Sequence, residues 1–259
     1  MDWMLQYYPG FLLFFCRITS FFVVSPVFSA QNVPNPLKLG LAVFVAFISF
    51  ISLGTSTPVT LDSIFWLLIL REILVGLFLG FIAYLFFTVV QIAGAFIDIQ
   101  IGFGIANVID PVTGAQSPLM GNLKYMVALL LFFSFNGHHY LLEGIMRSYE
   151  WIPLDNELFT HIYNGRISDF MLRTFSEVFT LSFQMAAPII VALFLTDLGL
   201  GLLARVSPQF NIFVIGMPLK VLLGLMMLIL LFPGYQLLFK DLFKAMLEAI
   251  QRFFGVFAA

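Results

Sequence analysis

Long apolar stretches constrain the fold of this chain more than any other feature of its sequence. Their lengths are uneven, and the breaks between them hold most of the polar residues. A helix needs about 20 apolar residues to cross the hydrocarbon core of a bilayer, so the second stretch is short and the third and fifth are long by that standard. The stretches cover residues 11–29, 37–53, 64–93, 123–146, 174–203 and 212–237.

The composition of the 259-residue chain also indicates helices in a membrane. Hydrophobic residues make up 61% of the chain and charged residues only 10%, whereas soluble domains contain about 45–50% apolar and about 25% charged residues. The net charge of -2, with no basic patch, gives no sign of a nucleic-acid partner. We therefore predict an all-α polytopic membrane protein. We expect its helices to bend at prolines within or beside the apolar stretches, namely Pro26, Pro188, Pro218 and Pro233.

Motifs for catalysis or cofactor binding are absent or incomplete. GFGIAN begins like the dinucleotide-binding GxGxxG, but it ends on Asn107 and lies in no strand–helix unit. His138 and His139 follow a turn signal, Asn136-Gly137, and have no third ligand at metal spacing. The sequence also contains no GxSxG, P-loop or HExxH motif. We expect no enzymatic activity, no cofactor and no metal.

Several charged residues lie in or beside the apolar stretches, where an unpaired charge costs about 3 kcal/mol. In a transporter they would form an ion or proton relay, and in a subunit they would join helices of different chains. We favour the second interpretation because the charges are dispersed along the chain and acids alternate with bases. The candidate subunit-interface charges are Arg17, Arg71, Glu72, Asp197, Arg205 and Lys220.

Small residues support close helix packing. Gly76 and Gly80 form a GxxxG motif, which lets two helices approach closely. Asp197, Gly201 and Arg205 follow at four-residue spacing and share a helix face, where the glycine leaves room for a partner backbone. The tail 237–257 has an amphipathic helical period. It fits a membrane interface, a partner helix or packing on the protein itself.

The segment GFGIANVIDPVTGAQSPLMGN, residues 102–122, has the composition of a loop but carries only one charge, Asp110. A loop that lies in water usually carries more charged residues than this. Irregular backbone at membrane depth is stable only when it is buried in protein or lines a cavity, and apolar side chains close a pore by dewetting. Asp110, before Pro111, either caps a turn or pairs with a basic partner, and we favour the turn. The low charge therefore predicts a segment that is buried in protein or lines a cavity.

Several blocks of the sequence carry a family resemblance that covers nearly the whole chain. They are FCRITSFFVVSPVF, LREILVGLFLGF, QIAGAFIDIQIGFGIANVIDPVTG, FFSFNGHHYLL and APIIVALFLTDLGLGLLARVSPQFNIFVIGMPLKVLLGL. The part DLGLGLLARVSPQFNIFVIGMPLK is the most specific. Together these blocks resemble FliR, a family of flagellar biosynthetic membrane proteins that is related to a subunit of the injectisome export apparatus.

The resemblance implies a subunit of the type III protein-export gate in the bacterial inner membrane, at the flagellar basal body. It implies FliP-like and FliQ-like subunits, an FlhB-like protein, exported unfolded proteins and membrane lipid as partners. Residues 1–170 would form a FliP-like part with a pore loop at 101–122, and residues 171–259 a FliQ-like helical hairpin with an amphipathic tail. The family's loop plugs the export pore, and the matching residues are Phe103, Ile105, Asn107, Val108, Ile109, Asp110 and Pro111.

The alternative function is a secondary transporter or channel for a small solute. Such a protein needs an internal repeat and a polar cluster at the membrane midplane, but no two halves of this chain match and its charges are dispersed. An assembly scaffold without contact to the pore is a third possibility. Crosslinking from the segment 102–122 to a stalled export substrate separates the scaffold from the gate.

Overall fold

The structure, a computed structural model, describes residues 2–29, 33–54, 65–103, 118–152, 163–207, 209 and 211–258. These residues form helices, and no strand occurs among them. A five-residue π-helical turn, Phe50–Gly54, continues the second helix. The helices are α1 (Asp2–Val24), α2 (Asn35–Ser49), α3 (Phe65–Ile101), α4 (Leu119–Ser134), α5 (Gly137–Trp151), α6 (Arg166–Val206) and α7 (Ile212–Ala258). The prediction of an all-α fold is confirmed.

Five helices are long and apolar enough to cross a membrane, namely α1, α2, α3, α6 and α7. The broken pair α4 and α5 makes a sixth if it is counted as one span. With 37 residues, α3 is about 55 Å long at the rise of 1.5 Å per residue. It therefore exceeds the hydrocarbon thickness of about 30 Å. The prolines expected to bend the apolar stretches lie inside helices at Pro188 of α6 and at Pro218 and Pro233 of α7.

The chain packs as two compact units. Unit 1 combines Met1–Phe86, Asn136–Phe175 and Lys244–Ala259, and unit 2 combines Phe87–Phe135 and Ser176–Phe243. Helices α3, α6 and α7 each contribute to both units. This grouping reflects packing within the chain, whereas the predicted division after residue 170 rests on family resemblance and stays a prediction.

In unit 1, α1 lies directly against α3 at the GxxxG motif. A Cβ atom on Gly76 would overlap the Ser20 hydroxyl and the Arg17 carbonyl oxygen, and one on Gly80 would lie 2.9 Å from the Phe21 carbonyl oxygen. The close approach predicted for these glycines is confirmed, and it joins two helices of the same chain.

The end of α7 packs on the protein itself. Met246 and Phe253 are fully buried, and the Phe253 ring centroid lies 5.9 Å from that of Phe78 and 5.5 Å from that of Phe170. Lys244 and Glu248 lie on the exposed side of the same turns. Of the three interpretations of the amphipathic tail, the structure supports packing within the chain.

The core of unit 2 is aromatic and tightly packed. The Phe132 ring lies 5.1 Å from that of Phe87 and 5.0 Å from that of Phe243, in edge-to-face arrangements that aromatic rings prefer. Outside the two cores, many large apolar side chains of α2, α6 and α7 are exposed, including Phe44, Phe47, Phe183, Phe194, Leu230 and Leu237. Apolar surface of this extent requires lipid or other protein chains around it.

Candidate functional site

The two ends of the segment 102–122 are joined at one place in unit 2. Asp98, in the last turn of α3, is almost fully buried. Its carboxylate accepts the Met120 backbone N–H, at 3.2 Å to one oxygen and 3.1 Å to the other. One turn earlier, Gly94 is so close to the backbone of Gly121 that a Cβ atom on Gly94 would overlap it. These contacts fix the start of α4 against the end of α3 and form the base of the segment.

The local sequence explains why Asp98 is needed at this position. The first backbone N–H groups of any helix lack partners within that helix. Pro118 occupies the N-cap position of α4 and forms no side-chain cap hydrogen bond. A group from another part of the chain must therefore accept a hydrogen bond from these N–H groups. A carboxylate is also favoured by the positive end of the helix dipole. Sequence reasoning missed this role, although a proline at the N-cap and an acid just before the glycine-rich segment were visible signals.

A polar contact also ties the last turn of α3 to α6 and α7. Gln100 Nε2 donates to Asp197 Oδ2 at 3.1 Å, and Lys220 Nζ lies 2.5 Å from Asp197 Oδ1. Next to this group, a Cβ atom on Gly224 would lie 2.6 Å from Ile101 Cδ1. Asp197 and Lys220, both predicted as interface charges, are therefore brought together within unit 2.

Among the predicted sealing residues, Phe103 lies in the described part of the chain. It is half-buried in the turn that follows α3. Its neighbour Gly102 has a φ of 102°, a backbone conformation that glycine adopts without steric cost. The other predicted sealing residues lie outside the described residues: Ile105, Asn107, Val108, Ile109, Asp110 and Pro111.

In unit 1, Arg17 forms a bidentate ion pair with Glu72. Arg17 Nε lies 2.6 Å from Glu72 Oε2, and a terminal nitrogen lies 3.0 Å from Oε1. Arg71 donates to the same carboxylate at 2.8 Å. All three side chains are fully buried. The predicted interface charges Arg17, Arg71 and Glu72 therefore have partners inside the chain rather than exposed positions.

Helix α5 completes the surroundings of Arg17. The guanidinium donates to Ser148 Oγ at 2.9 Å and to the Ile152 carbonyl oxygen at 3.1 Å. It also stacks on the Tyr149 ring, with 4.0 Å between the guanidinium carbon and the ring centroid. A buried arginine is tolerated only when its charge is paired and its N–H groups have acceptors. Arg17 meets both conditions and joins α1, α3 and α5.

Arg205 differs from the other predicted interface charges. It is exposed in the last turn of α6 and forms no salt bridge with any other residue that the structure describes. One turn earlier, a Cβ atom on Gly201 would have no neighbour within 4 Å. The face of α6 that carries Gly201 and Arg205 is therefore open.

Comparison with known proteins places the chain in a family. A family model described as bacterial export proteins, family 1, matches residues 8–246. The flagellar biosynthetic protein FliR of Bacillus subtilis (strain 168) is 43% identical over 97% of this chain and 96% of that protein. FliR of Escherichia coli (strain K12) is 31% identical over 96% and 94% of the two chains. The Yop proteins translocation protein T of Yersinia pestis is 29% identical over 83% and 82%.

These matches agree with the resemblance carried by the sequence blocks. The family model covers most of the chain, and the FliR relatives align over nearly all of it and nearly all of their own length. This polytopic α-helical chain therefore belongs to the bacterial export proteins of family 1, as a member of the FliR family.

Proposed function

We propose that this chain is a membrane subunit of a bacterial type III protein-export gate, where it helps form and seal the channel for unfolded flagellar proteins. The similarity to FliR over 97% of the chain carries this proposal. Helices long enough to cross a membrane and exposed apolar faces support a place in the bacterial inner membrane. FliP-like, FliQ-like and FlhB-like proteins are the proposed partners, and the role is conduction rather than catalysis.

Within this function, we propose that residues 103–111 seal the closed channel. The base of the segment supports this role, because Asp98 and Gly94 hold its two ends at one place. These contacts keep the two helices that flank the segment packed against each other. Its low charge suits closure, since apolar side chains exclude water and ions from a constriction.

The seal is tested by the ion conductance of membranes that carry the assembled gate. A deletion of residues 107–116 should leave the subunits co-purifying but raise the conductance well above the wild-type level. A point change, Ile109→Asp, should act in the same direction because a charge draws water into a dry constriction. The matched control Leu158→Asp places the same charge in the connection 153–162, where Asp155 and Glu157 already occur.

The possible outcomes separate the seal from the wider function. Wild-type conductance in the deletion variant while export continues would show that the segment is not the seal. Failure of the intact chain to co-purify with FliP-like and FliQ-like subunits, together with binding of a small solute by the isolated chain, would favour the transporter instead.

A further inference from the structure

A cavity of about 550 Å³ lies between α4 and α7 in unit 2. Its size falls within the range of about 300–1,000 Å³ that is typical of ligand pockets. Most of its lining is aliphatic or aromatic, including Leu123, Val127 and Leu225. Ile229 and Phe232 also line it and are largely exposed, so the cavity opens on the apolar surface of α7.

Two polar side chains also line this apolar cavity, Lys124 from α4 and Tyr235 from α7. Both are almost fully buried, with 2% and 5% of their surfaces exposed. Lys124 Nζ lies 4.7 Å from the centroid of the Tyr235 ring. Neither Lys124 Nζ nor the Tyr235 hydroxyl has a hydrogen-bond partner among the residues that the structure describes. Buried polar groups normally have such partners.

Asp98 offsets the charge of Lys124 without satisfying its N–H groups. Its charge acts on Lys124, but no salt bridge joins the two among the described residues, and both carboxylate oxygens accept the Met120 N–H. The ammonium and phenol groups therefore keep free donors beside an apolar cavity. An occupant that completes this site must bring anionic oxygen atoms together with an apolar body.

We propose that this cavity binds a phospholipid with an anionic headgroup. Acyl chains lie against the leucine and isoleucine side chains, and phosphate oxygens accept from Lys124 and Tyr235. Charge complementarity supports this occupant, as does the opening of the cavity on an apolar helix that is long enough to span a membrane. Basic pockets between membrane helices are a known way to recognise anionic lipid headgroups. The proposal is independent of the export function.

Native mass spectrometry of the purified full-length chain tests this lipid-binding proposal, with phosphatidylglycerol and phosphatidylcholine of equal chain length as probes. We expect the wild type to bind phosphatidylglycerol about tenfold more tightly, and Lys124→Met to abolish this preference, because a charge-assisted hydrogen bond is lost. Tyr235→Phe should weaken phosphatidylglycerol binding about fivefold through loss of a neutral hydrogen bond. Ile229→Trp should weaken both lipids by filling the cavity. The control Lys240→Met removes an exposed lysine of α7 and should change the binding of neither lipid.

Equal binding of the two lipids by the wild type overturns the proposal, and so does a preference that survives Lys124→Met. If Lys124→Met does not fold, the binding measured with Tyr235→Phe and Ile229→Trp decides the test, since neither substitution alters a charge. Unchanged binding in both variants then places the lipid elsewhere and overturns the site. A photoreactive residue at position 123 that captures a polypeptide of the export complex instead of lipid also overturns the proposal.

Discussion

Glu72 is the residue on which the buried charges of unit 1 depend. It lies between Arg17 and Arg71, so Glu72→Gln leaves two buried guanidinium groups facing a neutral amide. Removal of one partner of a buried ion pair costs about 3–5 kcal/mol. We therefore expect Glu72→Gln to lower strongly both the midpoint of thermal unfolding in detergent and the yield of folded protein.

A second ion pair of unit 1 provides the control. Arg147 and Glu143 are 2.6 Å apart one turn from each other, but 62% and 49% of their side chains are exposed. Exposed pairs of this kind contribute about 0.3–0.5 kcal/mol. Glu143→Gln should therefore leave the unfolding midpoint nearly unchanged. Equal effects of the two substitutions would contradict a structural role for Glu72.

The same residues show how much of the side-chain pairing could be predicted from the sequence. The cost of a charge in an apolar stretch marked Arg17, Arg71 and Glu72 as residues that need partners, and we expected those partners in neighbouring subunits. Their partners were not predictable, because Arg17 and Glu72 are 55 positions apart and Arg17 and Ser148 are 131 positions apart. Which helices meet is a property of the folded chain, so pairing within the chain and pairing between chains give the same sequence pattern.

At the scale of elements, Gly76 sets the distance between α1 and α3. Because a Cβ atom there would overlap backbone and side-chain atoms of α1, Gly76→Ala must move the two helices apart. Overpacking of this kind costs about 1–3 kcal/mol, which thermal unfolding in detergent measures. Gly40→Ala is the matched control, since a Cβ atom on Gly40 of α2 would have no neighbour within 4 Å. Alanine should stabilise that helix by about 0.5–1 kcal/mol. A Gly76→Ala variant as stable as Gly40→Ala would exclude the close contact.

The cap on α4 gives a second prediction about an element. Asp98→Ala removes the acceptor for the Met120 N–H, and loss of a side chain that caps a helix N-terminus costs about 1 kcal/mol. Hydrogen–deuterium exchange should become faster at the start of α4 and stay unchanged near the end of that helix. The control Asp241→Ala removes an exposed acid of α7 and should leave exchange in α4 unaltered. Protection at Met120 that survives Asp98→Ala would mean that another group caps the helix.

Hydropathy located the elements better than it located their ends. The stretches 64–93 and 174–203 became α3 and α6, which continue for several residues further. The last stretch and the amphipathic tail form one helix, α7, that runs through Pro233. The stretch 123–146 divides into two helices at Asn136, which has a φ of 58°. The break coincides with the Asn-Gly turn signal, although hydropathy predicted a single stretch there.

At the scale of the whole molecule, the division into two units cuts across α3, α6 and α7. No composition change marks these boundaries, because a long apolar helix can contribute to two cores without a break in its pattern. Each unit contains its own polar cluster, around Glu72 in unit 1 and around Asp197 in unit 2. The function came from the family resemblance, since apolar helices and dispersed charges suit gate subunits and transporters alike.

Assembly with other subunits is where Arg205 should matter. Its guanidinium is exposed beside the open face at Gly201, so Arg205→Ala should not change the unfolding midpoint of the isolated chain. If the residue pairs with an acid of a neighbouring subunit, its truncation costs about 2–5 kcal/mol of binding. That cost corresponds to at least about a thirtyfold weaker binding, which should appear as a loss of the proposed FliP-like and FliQ-like partners on co-purification. Lys240→Ala, at another exposed cation of unit 2, is the matched control. Equal recovery of partners with both variants would remove Arg205 from the interface and leave the apolar faces of α6 and α7 to hold the assembly together.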